Sequence, residues 1–349
     1  MTIRLRRGLA GTALLALALA TSACGSTGDS GDSAPVDGTW DDVVAAAKEE
    51  GQVLLYSTQH PENLAALKTA FEAEYPEITM EFVRGTDVET NPRVETEQQT
   101  GQGEGDVHML SDPLWITTAA ESGTYSTDLV GPAFDEADYD RESSVMEDRM
   151  FLTSGAVGVL AWNTDLVPDG IEEPEDLLDE KYRGKIGITD PAGFRAVVDQ
   201  YLFLDENWLS GDEFLDELAD LEPRVYPGSL AIAQALASGE IAVTPMTHPL
   251  VREQAAGAPV GWTLPDPAWG TPWYSHVLQT APHPNAAQVL ANFMVTPAGQ
   301  EALSTGYASA LPGTKSAVYD AQEIPMPDVE GLTQERIDEF QARWESLYR

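Results

Sequence analysis

At 349 residues and 37.7 kDa, the chain is too long for one ordinary domain and suits two. A hydrophobic fraction of 42% with eight tryptophans supplies enough apolar surface for sizeable cores, which excludes a globally disordered chain. The 19 basic and 58 acidic residues give a net charge of −39, which excludes nucleic acid as a partner and an anionic membrane surface as a main one.

The N-terminus has the pattern of an export signal. Three arginines within the first seven residues precede an apolar run from Leu9 to Ala20. These 12 residues are too few to span a bilayer, which needs roughly 20 residues in a helix. We therefore predict a signal peptide over residues 1–23, followed by a small, polar and flexible linker over residues 24–38.

The signal ends in Thr21-Ser22-Ala23-Cys24, which resembles the lipobox of bacterial lipoproteins. The resemblance implies cleavage before Cys24 and lipidation of that cysteine. We expect an exported protein anchored to the outer face of the cell membrane through the lipid. The alternative is an ordinary secretory signal with a cysteine there by chance.

Helical and strand patterns alternate from residue 40 onward. In chain order they predict helix 41–50, strand 53–56, helix 63–75, strands 78–83, 107–110, 157–162 and 186–188, helices 192–204, 212–221 and 230–238, strand 241–244 and helix 285–304. This alternation is typical of an α/β fold with mainly parallel sheets flanked by helices.

Polar residues and prolines follow several of the predicted strands, and these junctions hold most of the candidate ligand-binding residues. The carboxyl ends of parallel strands meet at one sheet edge, where ligands bind, and free N–H groups at helix starts favour oxyanions. Ordinary helix capping would use the same residue types. The candidates are Ser57, Thr58, His60, Ser111, Asp112, Tyr226, Ser229, Thr247 and His248, with Arg195 one turn into its helix.

Several stretches, in this order and spacing, resemble the solute-binding proteins of ABC importers, in the branch that contains the ferric-iron-binding proteins. They include Val53-Leu54-Leu55-Tyr56-Ser57, Gly105-Asp106-Val107, Leu160-Ala161-Trp162-Asn163-Thr164, Lys181-Tyr182-Arg183-Gly184-Lys185, Ser238-Gly239-Glu240 and Thr296-Pro297-Ala298-Gly299-Gln300. The resemblance covers roughly residues 40–312.

The resemblance implies a two-lobed clamshell with a ligand cleft at the hinge between two α/β lobes. We expect one lobe from residues 39–157 and 264–312, and the other from residues 158–263 and 313–349. The implied partners are a small-molecule or ion ligand and an ABC permease with its cytoplasmic ATPase, and the protein is expected to act as a monomer. Lobe closure would present the loaded form to the permease.

The resemblance suggests ferric iron or its chelate as ligand, but the pair of adjacent tyrosines usual in that branch is absent. The corresponding stretch reads Met246-Thr247-His248-Pro249-Leu250. A hard-metal site could still be assembled from oxygen and imidazole donors. The candidate metal ligands are His60, Asp112, Tyr226 and His248.

Two other ligand classes fit the residues. A phosphate or phosphonate compound would use the helix starts, with Arg195 as counter-charge. An organic cation such as a polyamine or thiamine would use Trp269, Trp273 and Tyr274.

A hydrolase is the competing class of protein. The sequence contains no GxSxG, SxxK, GxxxxGK[ST] or HExxH motif, and its one cysteine belongs to the lipobox. We therefore expect neither enzymatic activity nor a cofactor. The acidic residues cluster in runs such as 135–148, 172–180 and 205–222, and only five lysines are present, which suggests a surface adapted to high salt.

Overall fold

The structure is a computed structural model that describes residues 34–192, 195–208, 214–327 and 331–349. The predicted signal peptide, Cys24 and the first part of the linker lie outside the described residues. Among the helices that are described, none is both long and apolar enough to cross a membrane.

The strands alternate with helices along the chain. The described strands are β1 (Gln52–Ser57), β2 (Thr79–Arg84), β3 (Val107–Leu110), β4 (Val145–Met146), β5 (Met150–Val157), β6 (Val159–Asn163), β7 (Gly187–Thr189), β8 (Arg224–Tyr226), β9 (Val243–Thr247), β10 (Val260–Thr263), β11 (Gly270–Val277), β12 (Ala308–Ser309) and β13 (Tyr319–Asp320). The described helices are α1 (Trp40–Glu50), α2 (Pro61–Glu74), α3 (Asp87–Thr100), α4 (Pro113–Ser122), α5 (Arg141–Ser144), α6 (Arg195–Asn207), α7 (Phe214–Asp220), α8 (Ser229–Ala237), α9 (Val251–Ala255), α10 (Pro284–Met294), α11 (Pro297–Leu303) and α12 (Gln334–Tyr348).

The first lobe is built on a mixed sheet in the order β13-β12-β5-β11-β3-β1-β2, with β4 paired to β5. β1 runs parallel to both of its neighbours, with Leu55 opposite Phe82 on β2 and Val107 on β3. β11 is antiparallel to both β3 and β5. Helices cover the sheet, and their apolar side chains, such as Phe71 and Phe293, complete a continuous core.

The second lobe is smaller. β6 lies antiparallel between β9 and β10, β7 pairs parallel with β8, and a bridge between Ile186 and Val243 joins the two sets of strands. The core beside them contains residues from α6, α7 and α12. Tyr201 on α6 stacks on Phe340 of α12, with the ring centroids 6.0 Å apart. The C-terminal helix therefore stabilises this lobe by aromatic packing.

The chain passes between the lobes at Gly158 and returns through residues 264–269. The two passages are tied together because the Gly158 N–H donates to the Trp269 carbonyl at 3.0 Å. A Cβ at position 158 would lie 2.5 Å from Met246 Sδ, so the site admits only glycine without repacking. This glycine also ends β5 and divides the predicted strand 157–162 in two.

The structure confirms the predicted two-lobed α/β fold. The sheets are mixed rather than mainly parallel, because β5 and β11 enter the large sheet antiparallel to their neighbours, and an apolar run does not reveal strand direction. The predicted helix 285–304 is two helices, since Pro297 begins α11 and Thr296 Oγ1 caps it by accepting from the Gly299 N–H.

The C-terminal segment 313–349 packs partly on the first lobe and partly on the second, whereas the sequence prediction placed all of it in the second lobe. β13 pairs with β12 at the edge of the large sheet, and α12 packs against α6 and α7. Residues 319–320 are too few to show as a strand pattern, so only the pairing partner places them.

Candidate functional site

A cavity of about 400 Å³ lies between the two lobes, within the size range of small-molecule sites. Both lobes contribute polar side chains from strand ends and helix starts. The first lobe contributes Thr58, His60, Arg84, Asp87, Ser111, Thr271, Trp273 and Tyr307, and the second lobe contributes Thr189, Gln200, Gly228, Ser229, Met246, Thr247 and His248. Trp269, from the returning passage, also lines the cavity.

Six of the candidate ligand-binding residues line this cavity. They are Thr58, His60, Ser111, Ser229, Thr247 and His248. They come from junctions far apart in sequence, and the pairing of β1 with β3 and the closure of the lobes bring them together. The remaining four candidates, Ser57, Asp112, Arg195 and Tyr226, do not line it.

Two of these four make internal contacts instead. Ser57 is fully buried, and its hydroxyl accepts from the Gln59 N–H at 3.1 Å, which shapes the turn after β1. The Tyr226 hydroxyl donates to Glu240 at 2.9 Å on the surface of the second lobe. A position close to a proline predicts a strand end but not the direction of its side chain. The sequence therefore predicts Ser57 and Tyr226 as ligand-binding residues although their side chains do not reach the cavity.

Asp112 and Arg195 form an ion pair between the lobes. Asp112 caps α4 by accepting from the N–H groups of Leu114 and Trp115, and its Oδ2 lies 3.6 Å from Arg195 Nε. Burial raises the pKa of Asp112, and the arginine partly opposes that shift. Arg195 also donates to Gln334 on α12 at 3.0 Å. The guanidinium predicted as a counter-charge for the ligand thus contacts Asp112 and Gln334 through Nε and Nη2, while its buried Nη1 has no hydrogen-bond partner among the described residues.

The cation that does line the cavity is Arg84, which the sequence reading missed. It is the last residue of β2, and its Nε donates to the Gln59 carbonyl at 3.0 Å. Within the described residues Arg84 forms no salt bridge, so the rest of its guanidinium is available to a ligand. The signal was its position at a strand end before α3, but that junction lacks a proline and was passed over.

The N-terminus of α8 faces the cavity without a side-chain cap. Its N-cap is Gly228, which has no side chain to accept from the first turn, and a Cβ there would meet nothing within 4 Å. The first N–H groups of a helix have no partner inside the helix. They carry partial positive charge and favour an anion.

Two histidines meet across the cleft. The rings of His60 and His248 have centroids 6.1 Å apart. His60 caps α2, with Nδ1 accepting from the Glu62 N–H at 3.2 Å, and burial lowers its pKa to about 4, helped by Arg252 and His248. His60 is therefore neutral at physiological pH. His248 Nε2 lies 3.6 Å from Glu253 Oε1, and its buried Nδ1 has no partner among the described residues.

Asp87 is the one acidic residue among those that line the cavity. It accepts from Ser111, at 2.7 Å from the hydroxyl and 3.2 Å from the N–H. Burial raises its pKa to about 6, and nearby Asp112 acts in the same direction, while the two hydrogen bonds oppose the shift. The charge of Asp87 therefore depends on pH just below neutrality.

The four candidate metal ligands do not assemble into a site. His60 and His248 line the cavity, whereas Asp112 is paired with Arg195 and Tyr226 with Glu240. In the part of the chain that the structure describes, no group of three or more His, Cys, Asp or Glu side chains could hold a metal ion. Two imidazoles alone are a poor ligand set for ferric iron.

Three aromatic side chains complete the lining. Trp273 packs on Tyr307 with ring centroids 5.4 Å apart, and the Trp269 indole donates to Asp199 at 2.8 Å. Tyr274, which the sequence grouped with the two tryptophans, is not among the lining residues and lies in the core of the first lobe. Alternation along β11 explains the difference, because successive side chains point to opposite faces.

The sequence and the fold both match known proteins. The family model described as bacterial extracellular solute-binding protein matches residues 66–328. No curated protein sequence matches the chain.

Solved structures of periplasmic binding proteins share the fold. Iron-bound HitA from Pseudomonas aeruginosa has a TM-score of 0.65 at 19% identity, covering 83% of this chain and 98% of its own. AfuA from Actinobacillus pleuropneumoniae, with fructose-6-phosphate bound, has a TM-score of 0.65 at 18% identity, covering 86% and 99%. AgtB from A. tumefaciens R10, in complex with agropinic acid, has a TM-score of 0.62 at 17% identity, covering 85% and 98%.

Proposed function

The chain belongs to the bacterial extracellular solute-binding protein family, and we propose that the solute it carries is a small organic oxyanion, of which a phosphate ester is the best-fitting class. As a member of this family it is the exported solute-binding component of an ABC importer, and its partners are a small solute and a permease. The identity of the solute depends on the chemistry of the cleft.

The observation that carries the proposal is the convergence of Arg84 and the uncapped start of α8 in one cavity. A guanidinium is a fork of N–H donors that matches the oxygens of a phosphate, and helix N–H groups add donors without adding a side chain. The hydroxyls of Thr58 and Ser229 line the same space. Together they surround an anion with donors on more than one side.

The same chemistry disfavours the two cationic alternatives. Bare ferric iron lacks both the tyrosine pair and any cluster of three ligands among the described residues. An organic cation would face Arg84 with Asp87 as its one acidic partner in the lining, and both oxygens of Asp87 already accept from Ser111. Relatives of this fold carry organic anions as well as iron, as AfuA and AgtB do.

We further propose that the mature protein begins at a lipidated Cys24 and is held at the outer face of the cell membrane as a monomer. The residues that support this are the lipobox-like stretch and the polar linker that follows it. From there the loaded protein delivers its solute to the permease. Mass spectrometry of the N-terminal peptide checks the cleavage and the lipid. The Cys24→Ser protein should no longer be attached to the membrane.

A ligand panel tests the class of solute. The purified chain is titrated calorimetrically with a hexose phosphate, inorganic phosphate, ferric citrate and thiamine, and its melting temperature is followed with each. We expect the hexose phosphate to bind saturably and to raise the melting temperature, because a ligand that binds only the folded state stabilises it by mass action. Saturable binding of thiamine, or of iron in the absence of citrate, with no response to the phosphate compounds, would contradict the proposal.

A further inference from the structure

We propose that Thr271 and Trp273 of β11 are specificity-determining residues, which recognise the organic part of the solute by hydrogen bonds and so favour a phosphorylated polyol or sugar over inorganic phosphate. This inference rests on the proposed function, in which Arg84 and α8 bind the anionic end of the solute, and it adds a second binding region for the organic end. That region is the part of the cavity wall formed by β11 of the first lobe.

The two side chains share a face of β11, being two residues apart on one strand. Both residues line the cavity, and both are almost completely buried, with 2% of Thr271 and 7% of Trp273 exposed. Neither Thr271 Oγ1 nor Trp273 Nε1 has a hydrogen-bond partner among the described residues.

Unpartnered polar groups are unusual on this strand. Further along β11, Ser275 accepts from the Thr153 hydroxyl at 2.7 Å, and His276 is hydrogen-bonded to Ser126 at 2.8 Å. The two fully buried polar side-chain atoms of β11 without partners among the described residues therefore belong to the two residues that line the cavity with polar groups. Buried polar groups are almost always satisfied, so such a cluster is where a ligand supplies the missing partner.

The chemistry of the two groups defines what that partner is. An indole N–H only donates, whereas a threonine hydroxyl both donates and accepts. The matching ligand atom for Trp273 is an acceptor, such as a hydroxyl or ring oxygen, and a hydroxyl also satisfies Thr271. A purely apolar body would leave both groups unpaired.

Packing holds the indole in place. The Trp273 ring contacts the Tyr307 ring at 5.4 Å between centroids, and both residues are 7% exposed. An aromatic face beside a fixed N–H suits the C–H surface and hydroxyls of a sugar ring. The cavity, at about 400 Å³, also has room for such a body beside an anion, since a water molecule occupies about 30 Å³ in the liquid.

The position of β11 has a consequence for closure. Helix α8 belongs to the second lobe, whereas Arg84 and β11 belong to the sheet of the first. An anion held by Arg84 and α8 already joins the lobes, and the organic body adds contacts to β11, so a two-ended solute stabilises the closed form more than inorganic phosphate does. The selectivity for the organic body is thus coupled to closure.

The test compares a hexose phosphate with inorganic phosphate in Thr271→Val, which retains the size of the side chain, and in Trp273→Phe, which removes the N–H and keeps an aromatic ring at the position. We expect each variant to bind the hexose phosphate about tenfold or more weakly, with the affinity for inorganic phosphate unchanged. Thr271→Ser keeps the hydroxyl and should bind the hexose phosphate more tightly than Thr271→Val does. Trp262→Phe is the matched control, because its indole N–H donates to Gln254 outside the cavity.

Equal weakening of both ligands, or no weakening of either, would overturn the inference while leaving the proposed function intact. If the unaltered protein binds no phosphate compound, the proposed function fails and this inference fails with it. Melting temperatures of all variants establish that they fold. If Trp273→Phe does not fold, the binding of the two ligands by Thr271→Val alone tests the inference.

Discussion

The two walls of the cleft offer different binding groups. The wall from the first lobe presents side chains, with Arg84 and Asp87 at the end of β2 and the start of α3, and Thr271 and Trp273 on β11. The wall from the second lobe adds backbone donors to its side chains, because α8 begins at a glycine that leaves its first N–H groups open. Side chains can be exchanged to alter selectivity, whereas backbone donors provide anion binding that few substitutions remove.

Contacts between the lobes are made by cationic side chains of the second lobe. Arg252 of α9 reaches from the second lobe to the first, pairing with Glu62 at 2.9 Å, donating to the Thr305 carbonyl at 2.9 Å and also contacting Asn63. Arg195 reaches Asp112 in the same direction. Cations of the second lobe therefore bind acids and carbonyls of the first, which favours the closed arrangement.

The largest effect is expected from removing the cation of the first wall. Arg84→Ala should weaken binding of a hexose phosphate about hundredfold, or about 3 kcal/mol, because a charge-assisted contact to phosphate is lost. Calorimetry measures the change. Arg141→Ala removes a half-buried arginine that is paired with Asp135 and Asp148 outside the cavity, and it should leave the affinity unaltered. A similar loss in both variants would show that overall charge, not the site, is responsible.

The backbone wall can be tested by removing one N–H. Ser229→Pro deletes the first donor of α8 at a position where proline is tolerated, so we expect about tenfold weaker phosphate binding with little change in melting temperature. Ser229→Ala removes the hydroxyl alone and separates the two contributions. Wild-type affinity in the proline variant would mean that α8 does not bind the anion.

Loss of the contacts made by Arg252 should act on every ligand alike. Arg252→Ala removes its contacts to Glu62 and Thr305, which favours the open form and lowers all affinities by a common factor, about fivefold. Small-angle scattering should show a larger radius of gyration. A change confined to one ligand would indicate a direct contact, and Arg183→Ala, whose ion pairs with Glu180 and Glu222 stay within the second lobe, is the control.

Asp87 makes the first wall sensitive to pH. Its pKa is raised to about 6, so its repulsion of an anion is present at pH 7.5 and is lost as pH falls through 6. We expect a hexose sulfate, which keeps its charge, to bind about threefold more tightly at pH 5 than at pH 7.5. His60, with a pKa of about 4, stays neutral over this range. Asp87→Asn should bind the hexose sulfate tightly at both pH values. If that variant keeps the pH dependence of the unaltered protein, another group is responsible for the dependence.

The smallest expected effect concerns the surface rather than the cleft. With a net charge of −39, the folded chain repels itself, and salt screens that repulsion. The melting temperature should therefore rise by several degrees between low and molar salt. A flat response would contradict a surface adapted to high salt, and following the affinity of Arg84→Ala over the same range separates surface charge from site charge.

Local signals in the sequence were reliable where the chain itself determines conformation. Asp112 caps α4 at a predicted strand-to-helix junction, and α1 ends at Glu50 as predicted, followed by Gly51 at a φ of 71°. The strand-end junctions at Thr58, Ser111 and Ser229 did reach one cavity. Capping and strand ends depend on neighbours within a few residues, which a sequence displays.

Other parts of the site depend on contacts that are distant in sequence. Arg195 looked like a free cation at a helix start, but Asp112 and Gln334 contact it, from 83 residues before and 139 residues after, and only its buried Nη1 has no partner among the described residues. Arg84 was not among the predicted binding residues, and it is available because it forms no salt bridge with any residue that the structure describes. Partner choice among 19 basic and 58 acidic residues is decided by lobe packing, which composition does not encode.

By itself, the sequence indicated an exported, acidic α/β protein with polar residues at its strand ends, because periodicity, caps and apolar runs are local properties. The two lobes and the cleft between them were implied by the resemblance to solute-binding proteins. Tertiary structure decided which side chains line the cavity with unmet hydrogen bonds. Among the described residues it buried Thr271 Oγ1 and Trp273 Nε1 without partners, paired Arg195 with Asp112 and left Arg84 without a salt bridge. The reason is physical: a side chain becomes a binding group only when its own fold leaves its hydrogen bonds unmet, and that depends on neighbours brought from elsewhere in the chain.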